Sequence, residues 1–211
     1  MKTNPGLKLL KEGILTSNPV VMGALGLFPI ISGGTTLKRG LVLSVMMFIC
    51  MPVVSVLTAA FGKLFPKWLR AAFYVVVASV ILVIASIALK GIFNIPQNFL
   101  SLFIPLMSVN AIISYRAEKF AVNHSIKRSA IDAFANAAGF SIVMCLVSSV
   151  REIIGFSTLF DIPILFGKHI DGIVLPFGGF LILGFMAALL KHIIIKVTHS
   201  QINKLEEAPN E

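Results

Sequence analysis

Few residues of this chain could do chemistry, and those few sit in apolar surroundings. Asn110 stands inside residues 100–120, LSLFIPLMSVNAIISYRAEKF, five positions after Pro105 in an otherwise apolar run. Proline removes a backbone donor, and the amide is a polar group that hydrocarbon cannot satisfy. The stretch must therefore lie against protein or a water-filled cavity rather than lipid. Asp132 and Asn136 are four apart and share one helix face. At membrane depth such groups either line or gate a path for an ion or solute, or tie helices together by hydrogen bonds. Two charged pairs, Arg116 with Glu118 and Arg151 with Glu152, close apolar runs. Loop anchoring at the membrane interface, or pairing across helices, is expected of them in preference to ion conduction.

Other chemistries find little support. Cys50 and Cys145 lie in the middle of apolar runs with no cysteine or histidine at metal-ligand spacing, so both read as small core hydrophobes and no metal site is expected. His124, His169, His192 and His199 are scattered outside the centres of the apolar runs. No glycine-rich strand-to-helix turn marks a nucleotide or flavin site, so no catalytic residue is assigned and the chain alone is not a nucleotide-oxidising enzyme.

The elements that must position these groups follow from composition. Of the 211 residues, 57% are hydrophobic and 13% charged, against about 25% charged in soluble domains. That composition specifies an integral membrane protein. The net charge of +9 comes from basic residues in ones and twos between apolar runs, without a basic stripe or stacking aromatics. Membrane lipid is the partner this implies, and nucleic acid is excluded. Residues 1–17 carry leucines and isoleucines near helical spacing beside Lys8, Lys11 and Glu12, which suits either a surface amphipathic helix or a solvated lead-in helix. Nothing in the N-terminal residues marks a cleavable signal.

The spans come in order. Residues 20–31 follow Asn18-Pro19 and would rise only about 18 Å as a helix against about 30 Å of hydrocarbon, so residues 32–36 must continue inward as non-helical backbone. Residues 41–61 and 71–89 read as scaffold spans, joined by a turn with Trp68 and three cations of interfacial type. The interrupted run at 100–120 is fourth. Residues 130–150 are fifth, lined by Ala133, Ala135, Ala137, Ala138, Gly139 and Ser141, small residues that suit close helix contact, including contact with a partner chain. The sixth runs from 173 to about 195, and a polar tail at 199–211 is expected to fray.

Leu25-Gly26-Leu27-Phe28-Pro29 repeats Leu100-Ser101-Leu102-Phe103-Ile104-Pro105 with one inserted residue. Interruptions in corresponding halves point to a duplicated transporter-like core, and three crossings per copy invert the second. The expected fold is therefore an all-α integral membrane protein of six transmembrane segments. These form two inverted three-helix repeats, about 18–90 and 97–196, with broken half-helices at segments 1 and 4, all in a single transmembrane domain (1–198) with a tail (199–211). Thirteen lysines and arginines fall in the N-terminal segment, the second-to-third and fourth-to-fifth loops and the tail, against five (Lys38, Arg39, Lys90, Arg151, Lys168) on the other side. The positive-inside rule then puts both termini in the cytoplasm of a bacterial-type inner membrane.

Four stretches carry a family resemblance: NPVVMGALGLFP (18–29), FIPLMSVNAIISYRAEKFA (103–121), SSVREIIGFSTLFD (148–161) and LPFGGF (175–180). Together, in order over nearly the whole chain, they resemble the Rnf E-type and Nqr D-type membrane subunits of ion-translocating ferredoxin:NAD+ and NADH:quinone oxidoreductases. The resemblance implies a component of an electron-transport complex that couples electron transfer to ion translocation. It also implies pairing with a homologous subunit of inverted orientation and an iron–sulfur centre shared at their pseudo-twofold axis, with two cysteines from each. The matching positions here are Phe28 and Ala111. Neither offers a thiolate, so no cofactor is expected on this chain, and the two residues are expected to face each other near the bundle centre as a hydrophobic plug. The other reading is an accessory or stand-alone inverted-repeat transporter or channel-like module.

Overall fold

Long, mostly apolar runs fold here as helices that close their own backbone hydrogen bonds, the arrangement hydrocarbon demands. The computed structural model describes residue 13 and residues 18–93, 96–160, 162–163 and 170–206; of 171, 190 and 193–206 only the backbone path is described. The amphipathic segment ahead of Asn18 apart from Gly13, the loop residues Asp161, Lys168 and His169, and the last five residues lie outside the described residues. So does the His199 side chain.

In chain order the helices are α1 (Leu27–Gly33), α2 (Leu37–Phe61), α3 (Lys67–Phe93), α4 (Gln97–Ser108), α5 (Ala111–Lys119), α6 (Ile126–Phe156) and α7 (Pro176–Glu206). A two-residue antiparallel pair, Thr158–Leu159 with Ile162–Pro163, closes the loop after α6. Among the described residues four stretches are long and apolar enough to cross a membrane: Leu37–Leu64, Lys67–Phe93, Gln97–Asn123 and Ile126–Phe156. The apolar part of the last helix, Pro176–Leu189, is shorter.

The spine is α2 against α6, with α3 packed on α2 and α4 on α3. Val42, Met46, Met47 and Cys50 interdigitate with Phe140, Val143, Met144 and Val147 in one buried cluster. Gly40 permits the close approach, since a β-carbon there would run into the Ser148 hydroxyl. Cys50 is buried and its thiol points at the Ala78 carbonyl of α3 (3.9 Å), while Cys145 meets the Ser44 hydroxyl at 3.8 Å; both are free thiols placed as core hydrophobes. The small face of α6 is used inside the chain. Ala133, Ala135 and Ala137 are fully buried, and the carbonyl of Gly13 crosses over Gly139.

Three boundaries differ from the sequence expectation. The first segment is not helical from residue 20. Turns run to Gly26, where φ is +67°, and α1 begins only at Leu27. Pro29 thus falls in the first turn of α1, where its missing N–H is one the helix would leave unpaired anyway, so proline starts this helix instead of breaking it. Ser32 and Gly33 belong to α1 as well. The fifth helix overruns 130–150 at both ends, and Arg151-Glu152 lies within it. The tail continues as helix to Glu206.

Candidate functional site

Asn110 separates α4 from α5. Pro105 does not end α4, which runs three residues further; the Ser108 hydroxyl donates to the Pro105 carbonyl (2.7 Å) within its last turn. The chain then turns at Val109, and the Asn110 side-chain oxygen accepts from Ile112 N at 3.1 Å, capping α5. Asparagine is a favoured N-cap because its oxygen satisfies one otherwise orphaned N–H. Asn110 is only 3% exposed, and among the described residues its side-chain nitrogen has no partner. Gly26 lies directly against it: a β-carbon on Gly26 would sit 2.9 Å from the Asn110 oxygen and 2.7 Å from Ile112 Cδ1. The interruptions before α1 and before α5 therefore meet.

Around that meeting point is a concavity of about 210 Å³, lined by Gly26, Leu27, Phe28 and Pro29 and by Leu106, Val109, Asn110 and Ala111. Phe28 and Ala111 do come together here, but Phe28 is 56% exposed and Ala111 is exposed too. The buried plug is thus corrected to an open apolar hollow on the surface of the chain. Its polar side chain is the Asn110 amide.

The predicted charge pairs are differently partnered. Arg116 forks onto Asp132, its Nε to Oδ2 at 3.0 Å and its Nη2 to Oδ1, and lies over the Phe120 ring (5.4 Å to the centroid). A planar guanidinium matches a carboxylate in this two-pronged way, which fixes α5 to α6. Glu118 does not pair with Arg116. It accepts from Arg70 Nη1 (3.1 Å) and from the Tyr74 hydroxyl (2.6 Å), while Arg70 Nε also holds the Phe65 carbonyl (3.1 Å). Asn136 reaches back to the Asp132 main-chain oxygen (2.7 Å), a local helix bond, so Asp132 and Asn136 share a face without joining their side chains.

Arg151 and Glu152 are buried, with exposures of 0% and 1%, and tie down loops and helix ends. The Arg151 guanidinium donates to five main-chain carbonyls. Nη1 reaches Ile31 (2.6 Å) and Gly34 (3.1 Å), Nε reaches Ile173 (3.2 Å), and Nη2 reaches Val174 and Leu175. Ile31 and Gly34 end α1, where carbonyls lack helical partners and the helix dipole favours a cation. Glu152 accepts from Leu37 N (2.6 Å) at the start of α2, where the dipole favours an anion, and from the Thr158 hydroxyl (3.4 Å). Adjacent opposite charges thus clamp the end of α1 and the start of α2.

Sequence reading passed over two structural residues. Asn18 accepts from Val20 N (3.0 Å) and donates to the Gly139 carbonyl (3.1 Å), tying the first segment to α6. The signal was the Asn-Pro dipeptide, which favours such a side-chain turn. Asn18 also lines a second concavity of about 480 Å³ with Tyr115 and Arg116. Tyr74, 2% exposed, was a lone hydroxyl in an apolar span.

A helical chain with several membrane-length apolar stretches, and with its deep charges turned onto its own backbone, is an integral membrane protein. It belongs to the Rnf-Nqr family, described as Rnf-Nqr subunit, membrane protein, which matches residues 6–187. It is similar to the E subunit of the Na(+)-translocating ferredoxin:NAD(+) oxidoreductase complex of Acetobacterium woodii, 31% identical over 187 residues, 87% of this chain and 95% of that one. It is also similar to the E subunit of the ion-translocating oxidoreductase complex of Glaesserella parasuis, 30% identical over 88% of this chain and 87% of that one. The corresponding protein of Shewanella loihica is 28% identical, over 94% and 91%.

Proposed function

We propose that this chain is an E-type membrane component of an ion-translocating oxidoreductase complex, holding together the membrane part of a machine whose electron carriers reside on other subunits. The observation that carries the reading is family membership over residues 6–187 with relatives matched along 95% and 87% of their length. In this reading the chain sits in a bacterial-type inner membrane with both termini cytoplasmic, as the thirteen-to-five distribution of basic residues favours. It crosses as two inverted repeats, with α1 and the α4–α5 pair as their half-length elements, and pairs with a homologous inverted subunit.

The hollow at Phe28 and Ala111 does not fit an iron–sulfur centre, because such centres take cysteine thiolates and the lining offers a phenyl ring, a methyl group and one amide. A partner with both of its cysteines leaves the site two ligands short. In this reading the chain is redox-silent; with Asp132 paired to Arg116 and Asn136 bonded to its own helix, Asn110 is the remaining candidate for an ion path or gate. The missing thiolates also favour a second reading, an inverted-repeat transporter module that works without the redox subunits.

Purification from native membranes in mild detergent separates the two. Co-purifying flavoprotein and iron–sulfur subunits support the first, and a chain isolated without them supports the second. Iron and sulfide analysis of the complex, with Cys50 and Cys145 replaced by serine, completes the test. Stoichiometric iron lost on that replacement refutes the redox-silent assignment.

A further inference from the structure

The concavity of about 480 Å³ is walled by the turn ahead of α1, with Asn18, Pro19, Met22 and Leu25, and by the last two turns of α5, with Tyr115 and Arg116. Arg116 holds Asp132 through Nε and Nη2, which leaves Nη1 without an acceptor among the described residues. The Tyr115 hydroxyl has none among them either, and Tyr115 is 46% exposed. Asp132, with its side chain 4% exposed, does not line the hollow, so the guanidinium faces the space and its counter-ion lies behind it. Lys119, exposed and four residues on from Tyr115, adds positive charge to the same helix face, while Glu118 is paired with Arg70. The Asn18 side chain is committed to Val20 N and the Gly139 carbonyl, and Pro19, Met22 and Leu25 make the rest of the wall apolar. Arg116 lies about two turns from Asn123, the end of a membrane-length stretch, close enough for a long cationic side chain to reach the headgroup layer.

We infer that this hollow binds one anionic phospholipid, with phosphodiester oxygens on Arg116 Nη1 and the Tyr115 hydroxyl and an acyl chain against Pro19, Met22 and Leu25. Guanidinium N–H groups match phosphate oxygens in geometry as well as in charge. The phosphate takes the nitrogen that Asp132 leaves unused, so the fork between α5 and α6 stays intact. A zwitterionic head brings its own cation against Arg116 and Lys119, and a free phosphate leaves the apolar wall uncovered. The proposed topology turns this end of α5 toward the cytoplasmic leaflet, whose anionic lipids supply the ligand. A lipid seated there ties the turn ahead of α1 to α5, two parts of the chain that both flank a break.

The test uses the full chain with its co-purifying subunits, delipidated in mild detergent and given phosphatidylglycerol that carries a diazirine in one acyl chain. Irradiation and peptide mapping are expected to place saturable adducts on residues 19–25, which unlabelled phosphatidylglycerol removes. Phosphatidylcholine is expected to compete about tenfold more weakly, because its ammonium meets Arg116 and Lys119. Ile84 of α3, 64% exposed, is the control, where adducts resist competition as bulk lipid does. Tyr115→Phe keeps the ring and withdraws one donor, so competition is expected to need about three- to tenfold more phosphatidylglycerol, as loss of one hydrogen bond implies. Its melting temperature without lipid is expected to hold, since the hydroxyl has no partner within the described residues. Met22→Trp fills the hollow from a residue 44% exposed and is expected to abolish the adducts on residues 19–25 without lowering the melting temperature. Adducts at 19–25 that resist competition as those at Ile84 do overturn the site. Equal competition by phosphatidylcholine overturns the anionic head, and competition by inorganic phosphate at the same concentration overturns the lipid. A Tyr115→Phe protein that binds like the parent overturns the assignment of its donor.

Discussion

Replacing Arg151 tests whether one side chain holds the discontinuous parts of this fold in place. Arg151→Met keeps length and apolar bulk but removes all the donors that reach Ile31, Gly34, Ile173, Val174 and Leu175. Each buried carbonyl left unpaired costs about 1–3 kcal/mol. Against that stands the desolvation penalty of a fully buried guanidinium, which the substitution relieves and which amounts to roughly several kcal/mol. The balance falls at about 3–5 kcal/mol of destabilisation. At about 2–4 °C per kcal/mol for a chain of this size, thermal unfolding in mild detergent is expected about 6–20 °C lower. Arg151→Lys keeps the charge but brings three donors from a point instead of a planar fork, so its loss is expected at about half. A second readout locates the damage. With Cys50 and Cys145 replaced by serine, a cysteine at Ser32 in α1 is expected to react faster with a maleimide in the Met variant, because the carbonyls that end α1 have lost their anchor. A Met variant melting within about 3 °C of the parent, with unchanged labelling, refutes the clamp and leaves Arg151 a tolerated charge.

Four further substitutions probe three other joints. Gly26→Ala forces a β-carbon onto a residue at φ +67° and against Asn110 and Ile112; a loss of about 1–2 kcal/mol from the left-handed backbone alone is expected, read as a lower melting temperature. Tyr74→Phe removes the 2.6 Å bond to Glu118; because that carboxylate is 42% exposed and water can replace the hydroxyl, about 1 kcal/mol is expected. Arg116→Gln and Asp132→Asn, singly and together, should show a coupling of about 1–2 kcal/mol, whereas additive losses would mean that the pair does not tie α5 to α6.

The long helices were legible because apolar length is enough to specify them: 41–61 and 71–89 fall inside α2 and α3 with only their ends extended. The interruption at Asn110 was legible too, since an amide and a proline in one apolar run have few places to go. Charges at the ends of runs misled. Arg151-Glu152 looked like the end of a span because sequence shows a charge and not the carbonyls that fold back upon it from α1 and from residues 173–175, more than twenty positions away. Tertiary satisfaction let the helix continue where propensity and hydropathy would stop it. The pairing of Glu118 with Arg70 and Tyr74, 48 and 44 residues distant, was hidden for the same reason. Phe28 was misplaced by analogy: a position expected at the axis of two paired subunits is, in one chain, on the surface.

These placements bear on where an ion could pass. Asp132 was a natural candidate for a path, yet both of its carboxylate oxygens face the Arg116 guanidinium. A cation arriving there meets a fixed positive charge already in the site, and displacing the arginine would unfasten α5 from α6. Asn136 reaches its own helix, and Arg151 and Glu152 serve the ends of α1 and α2. The deep charges are thus committed to holding segments together, which is how a chain with half-length pieces stays folded in hydrocarbon. Asn110 differs in kind. Among the described residues its amide nitrogen is a buried donor without a partner, beside a hollow where two breaks meet. A donor attracts an acceptor and not a cation, so the Asn110 amide nitrogen is not itself a cation ligand. The interior charges of this chain are therefore structural: they hold its short helices and its two breaks in place.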